Sequence, residues 1–195
     1  MIKRQETLWG ASIYDGLQHD PRHAFVLASY SAFKRVVMSQ WTQLIDGGLK
    51  FVANKDDPYA DSSEMRRDVE DKLTLRVYAD NGGSLPDDHP MRQKVESGIE
   101  GFVVLNDVFR GVHDVMGHVL SGGSFGPKGE QLAWATHRDT MPRLAHNALW
   151  CETVGQNMWT NFAGDHESLP MAERPFGEQK AGLVPAFLVE ARLHA

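Results

Sequence analysis

Apolar residues recur at helical spacing along several stretches of the chain, and the longest of these stretches covers residues 20–46. Asp20 and Pro21 precede the apolar positions, and Gly47 and Gly48 follow them, which is typical of the start and the end of a helix. The stretch therefore predicts one long helix with a core-facing side, whose apolar positions are Val26, Tyr30, Phe33, Val37, Trp41 and Leu44.

Two shorter segments, 49–54 and 73–79, are rich in β-branched and aromatic residues and predict strands. The polar segment between them contains a turn and then a helix that begins near Ser62 or Ser63. The next residues, 80–90, combine glycine, proline and acidic side chains and predict a loop. A small strand–helix–strand element is therefore expected in the first half of the chain.

The second half has a mainly helical pattern from about residue 99. Further helices are expected at 128–139, at 143–162 and, near the C-terminus, at 185–193. An apolar stripe precedes them and ends at the glycine-rich segment SGGSFGPKG, its members being Leu105, Val108, Phe109, Val112, Val115, Met116 and Val119. Residues 99–162 are therefore expected to form a helical core.

The expected fold class is α+β and predominantly helical, with a single domain over residues 1–195 and a two-stranded element near residues 49–79. The composition, 42% hydrophobic and 24% charged, is that of an ordinary globular protein. A net charge of −6 gives no basic surface for binding the phosphate backbone of nucleic acids. No apolar run approaches the roughly 20 residues of a membrane span, and the N-terminus lacks an apolar signal core, so a cytoplasmic location is expected.

Two histidines, His113 and His118, stand five positions apart within the apolar stripe. Five residues of a regular α-helix turn through about 500°, which leaves the two side chains about 140° apart and unable to bind one ion together. Both can reach one metal only if the helix ends or distorts between them, and Gly117 supplies the backbone freedom for this. The alternative interpretation is a partly buried pair of histidines beside a turn.

More histidine and acidic residues follow this pair. Cys151 is the single cysteine, so a metal site within the chain must use histidine and carboxylate ligands. Glu130 and His137 are seven residues apart and share a helix face, and Glu152 lies on the next predicted helix. The residues available for a metal site are therefore the two histidines together with Glu130, His137 and Glu152.

Several chemistries are compatible with such ligands. Two imidazoles and one carboxylate leave three cis positions of Fe(II) free, which suits an oxygenase or hydroxylase acting on a small-molecule substrate. Zinc on the same ligands would polarise water for hydrolysis. A dinuclear carboxylate site would recruit Glu130 and His137 as well. In a fourth alternative the ion only stabilises a non-catalytic interaction protein.

The segment VHDVMGHV resembles the iron-binding signature H-[DE]-x-x-G-H-V of the pterin-dependent aromatic amino acid hydroxylases. The resemblance covers residues 109–160 and implies that His113, His118 and Glu152 bind Fe(II) in a monooxygenase-like oxidoreductase. Leu120 stands where the family has a proline, and Gly155 follows Glu152 by three positions where the family has two. The resemblance therefore supports the metal site more than a tetrahydropterin pocket.

Other residues near the signature receive candidate roles. Glu130 is the substitute third ligand, and His137 is a partner of a ligand, a fourth ligand or a surface residue. Asp114 either orients a cofactor or substrate through a water, as the acidic residue there does in the family that it resembles, or pairs with Arg110. Gln156 is expected to hold the Glu152 carboxylate by hydrogen bonding or, together with Asn157, to bind a polar substrate.

The glycine-rich segment after His118 has neither the G-K-[ST] of a P-loop nor a preceding strand, so it is interpreted as a turn that lets the backbone pass close to the metal pocket. The longer pattern of VHDVMGH, SFGPKGE, AWATH and ETVGQN resembles a group of uncharacterised phage-type proteins. This second resemblance implies a phage-like origin and no particular chemistry.

Overall fold

Helices make up most of the structure, a computed structural model that describes residues 4–190. The fold is α+β and predominantly helical, as the sequence predicted. The α-helices are α1 Arg4–Asp15, α2 Ala24–Asp46, α3 Ser62–Lys72, α4 Leu105–His113, α5 Pro127–Arg138, α6 His146–Trp150, α7 Gln156–Phe162 and α8 Ala186–Val189, and the strands are β1 Lys50–Asn54 and β2 Thr74–Tyr78.

The long helix α2 lies where the hydrophobic pattern placed it and forms the centre of the core. It begins after His23, whose Nδ1 accepts a hydrogen bond from the amide of Phe25, rather than at Asp20. Its apolar face is buried, and Phe33 packs 4.9 Å from the ring of Phe109 on α4. The ring of Trp41 stacks 4.0 Å from Phe51 of β1. Because α2 contacts both halves of the chain in this way, it fixes the position of α4.

The predicted strand–helix–strand element is present. β1 and β2 pair in parallel, from Lys50 opposite Thr74 to Asn54 opposite Tyr78, and α3 connects them. The carboxylate of Asp61 accepts hydrogen bonds from the first amides of α3, one residue before the predicted cap. The residues after β2 then lead to α4.

Helix α1 was not predicted. Its buried positions include Thr7 and Gly10, so the hydrophobic periodicity that would reveal an amphipathic helix is weak there. A Cβ atom at Gly10 would lie 2.2 Å from the sulfur of Met158, which shows how closely α1 approaches α7. The small and polar residues that weaken the hydrophobic pattern of α1 are therefore those that let it pack closely against α7.

Helix α5 lies within one residue of its predicted bounds, whereas the other helices of the second half begin later than predicted or change geometry along their length. α4 begins at Leu105 rather than near residue 99, and a 3₁₀ turn, Arg143–Ala145, precedes α6. Two π-helical segments, Asp114–Val119 and Cys151–Gly155, interrupt the predicted regular helices. Helix α8 lies within the predicted segment 185–193, whose last residues are outside the described part of the chain. None of the helices in residues 4–190 is long and apolar enough to cross a membrane.

Candidate metal centre

The side chains of His113, His118 and Glu130 meet in a buried cluster. The two carboxylate oxygens of Glu130 lie 3.2 Å from His113 Nε2 and 3.1 Å from His118 Nε2. One ligand atom from each of the three residues lies within 4.8 Å of the others, the one such group of histidine, cysteine and acidic residues within residues 4–190. The predicted convergence of the two histidines is confirmed.

A π-helical segment produces this convergence. Its hydrogen bonds run from residue i to i+5, so each turn contains one more residue than an α-helical turn. His113 ends α4 and His118 lies in the segment Asp114–Val119, so a residue five positions on occupies roughly the place that i+4 has in an α-helix. The two rings are 5.2 Å apart between centroids and nearly perpendicular, at 79°. The helix therefore distorts between the histidines but does not end there.

Gly117 leaves room for the imidazole of His113. A Cβ atom at this position would lie 2.9 Å from Cε1 and 3.1 Å from Nδ1 of His113, and 3.2 Å from the Cβ of Ala133. The predicted reason, a backbone freedom that only glycine has, does not apply, because Gly117 is not among the residues with positive φ. Its missing side chain instead lets the imidazole of His113 lie against the helix backbone.

Helix α5 brings Glu130 to the histidines, and the glycine-rich turn before it supports this placement. The carbonyl oxygen of Gly123 lies 3.3 Å from Nδ1 of His118. A Cβ at Gly129, in the first turn of α5, would lie 2.0 Å from the carbonyl oxygen of Ser124, so the glycine-rich turn packs too tightly against α5 for any larger residue there. The backbone therefore passes close to the site, as predicted, and contacts one of its ligands.

A chain of hydrogen bonds fixes the tautomer of His113. The Thr140 hydroxyl donates to the carbonyl of His137 at 2.6 Å, so its oxygen can only accept from Nε2 of Gln40, at 2.8 Å. Gln40 therefore presents its oxygen to Nε2 of His137, at 3.0 Å, and that nitrogen must carry a proton. Burial, followed by the charge of His113, lowers the pKa of His137 well below its ordinary value, so its Nδ1 is free to accept. The Nδ1–H of His113 donates to it, at 3.0 Å.

The result is that His113 and His118 each turn an unprotonated nitrogen toward Glu130 when they are neutral. His113 is fixed by His137, and His118 donates its Nδ1–H to the backbone of Gly123. Each Nε2 lone pair then faces a carboxylate oxygen, an arrangement of acceptors that is repulsive unless a cation or protons lie between them. Histidine binds metals through such a neutral nitrogen, held in place by a hydrogen bond at the other one. The residues therefore fit a divalent metal ion.

The electrostatics of the cluster agree with the need for a cation or protons between the two histidines and Glu130. Burial opposes protonation of His118, but the hydrogen bond and the charge of Glu130 outweigh burial and raise its pKa. Burial also opposes ionisation of Glu130, yet the charges and hydrogen bonds of the two histidines lower its pKa far below the ordinary value. The carboxylate is thus held ionised, and protons take the place of the cation when no metal is bound.

The cluster opens onto a cavity of about 680 Å³. This cavity is the size of an ordinary small-molecule site. Its walls combine aromatic rings and aliphatic side chains with carboxylates and amides, and include Tyr59, Val77, Tyr78, Phe109, Arg110, His113, Asp114, His118, Phe125, Glu130, Glu152, Thr153, Gln156, Asn157 and Phe176. Most of the predicted site residues therefore surround one space.

Glu152 lines the cavity but is held apart from the three-residue cluster. It lies in the second π-helical segment, and Oε1 accepts a hydrogen bond from the hydroxyl of Tyr30 on α2. Nε2 of His89 lies 3.5 Å from the same oxygen. Burial raises the pKa of Glu152 to about 8. Glu130, the substitute ligand of the sequence analysis, has the position beside both histidines, and a ligand role for Glu152 stays a prediction.

The remaining candidate residues have different partners from those expected. His137 is fully buried, so its interpretation as a surface residue was wrong. Arg110 donates to the carbonyl of Tyr78 at 3.2 Å and lies 3.3 Å from Asp80. Asp114, whose pKa is raised to about 6 by burial, remains beside the ligands on the cavity wall.

The two polar residues expected to hold Glu152 or a substrate also line the cavity. Gln156 does not support Glu152, since its Nε2 donates to the carbonyl of Gly177 at 2.6 Å. The side chain of Asn157 accepts a hydrogen bond from Asn161 at 3.2 Å. Their contact with a substrate stays a prediction.

Sequence reasoning missed the residues that support the site from α2. Tyr30 was assigned to the core, and Gln40 received no role although it is a polar residue on an apolar helix face. That interruption of the apolar pattern was the signal that could have identified Gln40. His89 also received no role, and nothing in the loop sequence connects it with Glu152.

No protein-family model, curated protein or solved structure matches the chain.

Proposed function

We propose that this protein is a mononuclear non-haem iron(II) oxygenase that acts on a small molecule bound in the cavity. The observation that carries the proposal is the convergence of Nε2 of His113 and Nε2 of His118 on the two carboxylate oxygens of Glu130 in a buried cluster. Two neutral nitrogens and one carboxylate oxygen form the donor set of a facial triad, which suits Fe(II) with open positions. The resemblance of VHDVMGHV to the hydroxylase signature supports iron rather than zinc.

The residues around the cluster have separate tasks in this function. His113, His118 and Glu130 would hold the ion, which supplies the activation of dioxygen when it is bound. His137 and Gly123 keep the two imidazoles in the tautomer that leaves Nε2 free. Phe109 is buried beside the ligands, and Val77 and Phe125 also form the apolar part of the wall, so a bound substrate would be shielded from water.

The metal content of protein purified without a histidine tag tests this function. We expect one iron per chain and oxygen consumption when Fe(II), a reductant and an accepted small molecule are present. A stimulation by tetrahydropterin would extend the resemblance to the cofactor. One tightly bound zinc with no oxygen consumption would instead favour the hydrolase, and two metals per chain a dinuclear site. Absence of any bound metal after reconstitution would contradict the proposal.

A further inference from the structure

The buried carboxyl group of Glu152 has an asymmetric environment that the metal cluster does not explain. The side chain is only 2% exposed, and its oxygen Oε2 is buried without a hydrogen-bond partner. Oε1, in contrast, accepts from the hydroxyl of Tyr30. An ionised carboxylate buried with one oxygen unpaired is costly, because no solvent compensates for its charge.

His89 places a second N–H group near Oε1, although it makes no hydrogen bond to it. Its Nδ1 accepts a hydrogen bond from the amide of Met91 at 3.2 Å, so a neutral His89 carries its proton on Nε2. Burial, together with the nearby His19, lowers the pKa of His89 to about 3, which keeps the ring neutral. The Nε2 atom lies 3.5 Å from Oε1 of Glu152 and makes no hydrogen bond. A proton on Oε1 would therefore compete with the hydroxyl of Tyr30 and face the Nε2–H of His89, whereas a proton on Oε2 meets neither.

The charged and titratable groups around Glu152 do not supply a counter-ion in contact with it. Tyr14 of α1, Tyr30 of α2 and the adjacent Cys151 are all neutral, because burial raises the pKa of each above its ordinary value. Arg110 of α4 favours the ionised form of Glu152, but its guanidinium contacts Tyr78 and Asp80 instead. Glu152 is thus a buried acid that is hydrogen-bonded on one oxygen only.

We propose that Glu152 is the proton donor of the metal cavity and holds its transferable proton on Oε2. This role rests on the proposed function, since it assigns a second task in the same cavity, beside the ligands His113, His118 and Glu130. In the transfer, the O–H bond at Oε2 breaks and its electron pair stays on the carboxylate. The proton forms a bond to a basic oxygen or nitrogen of the bound small molecule. Tyr30 and His89 then stabilise the charge through Oε1, and solvent returns the proton.

Infrared spectroscopy of the full chain tests this role, because protonated carboxyl groups and carboxylates absorb in separate regions. Uniform ¹³C labelling of glutamate distinguishes this group from aspartate. The labelled wild-type protein is expected to show a protonated glutamate band at pH 6 that disappears as the pH rises through about 8. The band is absent from Glu152→Gln, and it persists in Glu167→Gln, which removes an exposed glutamate by the same substitution.

Tyr30→Phe separates a positioning role of Tyr30 from a purely structural one. The hydrogen bond from Tyr30 favours the ionised form of Glu152, so its loss moves the midpoint of the band to higher pH. A midpoint that stays in place or falls would overturn the assignment of Tyr30 as the donor that stabilises the carboxylate. The labelled wild-type protein shows whether the protonated glutamate band exists and where it titrates, even if Glu152→Gln does not fold.

Metal analysis of the same variants separates the two proposals. Glu152→Gln is expected to keep its iron with less than a twofold change in content, and to slow a reconstituted turnover. A loss of iron would show that Glu152 is a ligand, and the absence of a protonated glutamate band at pH 6 would show that it is ionised; either result overturns the proton-donor role. A wild-type protein that shows the band but binds no metal would contradict the proposed function instead.

Discussion

At the scale of single residues, the geometry of His113 depends on side chains that do not reach the metal cluster. His137 accepts the Nδ1–H of His113, and Gln40 and Thr140 fix which nitrogen of His137 can do so. Such partners of metal ligands orient the imidazole and raise its basicity. These hydrogen bonds therefore hold the imidazole of His113 in the orientation that a metal ligand would need.

His137→Phe tests this preparation. The substitution keeps a ring that can pack beside Phe109 but removes the acceptor for His113. We expect the affinity for Fe(II) to fall by about 10–100-fold, the usual effect of losing a ligand's hydrogen-bond partner. His146→Phe, the same change at a half-buried histidine outside the cluster, serves as the control. Equal affinities of the two variants in an anaerobic titration would show that His137 has no such role.

The sequence identified most of the residues of the candidate site but could not assign the third ligand. Glu130 and Glu152 are both acidic residues on helices that follow the histidine pair, and the family resemblance favours Glu152. The choice depends on the direction of each side chain, which follows from the π-helical segment and from Tyr30. The partner of Glu152 lies on α2, 122 positions away in the chain, so no local pattern could reveal it.

At the scale of secondary-structure elements, both π-helical segments carry residues of the cavity. One contains His118 and the other contains Glu152. π-helical turns are rare and are often found at functional sites, because they change the direction of side chains without ending the helix. Apolar periodicity predicted helices through both segments correctly, but a periodicity of 3.6 residues cannot show where an extra residue enters a turn.

Gly117→Ala tests the close packing inside the first π-helical segment. The new methyl group would lie 2.9 Å from Cε1 of His113, so the imidazole has to shift from its position beside Glu130. Overpacking of this kind costs about 1–3 kcal/mol, which corresponds to a loss of about 5- to 150-fold in metal affinity if the strain falls on the bound geometry.

Gly126→Ala is the matched control for this substitution. Its Cβ would lie no closer than 3.9 Å to another side chain, and its φ of −76° is open to alanine. Calorimetric titration of both variants with Fe(II) checks the expectation. If Gly117→Ala bound iron as tightly as Gly126→Ala, the space at Gly117 would not be needed for the site.

At the scale of the whole molecule, the hydrophobic pattern predicted the fold class and the main elements. The long helix α2 and the strand–helix–strand element follow from apolar periodicity and from capping residues, which act over short stretches of sequence. α1 was missed because it packs through small and polar residues. The site depends on the packing of α2 against α4 and on the hydrogen bonds from α2 to His137 of α5 and to Glu152 of the second π-helical segment. Long-range contacts of this kind are not recorded in any local pattern.

The contacts of Glu130 bring together residues from several parts of the chain. The carboxylate of Glu130 on α5 lies beside His113 and His118. Gln40 of α2 hydrogen-bonds His137, which in turn holds His113. If the cluster is a metal centre, Glu130→Gln removes a charged ligand and keeps the shape of the side chain. The surface variant Glu167→Gln controls for the substitution itself.

Anaerobic calorimetry with Fe(II) on metal-free protein tests most directly whether Glu130, His113 and His118 bind a metal ion. We expect one site per chain in the wild type and in Glu167→Gln, and an affinity about 100-fold lower or undetectable in Glu130→Gln, since loss of a charged hydrogen-bonded partner costs about 3 kcal/mol. Binding by Glu130→Gln with the stoichiometry and affinity of the wild type would contradict a metal centre built on His113, His118 and Glu130.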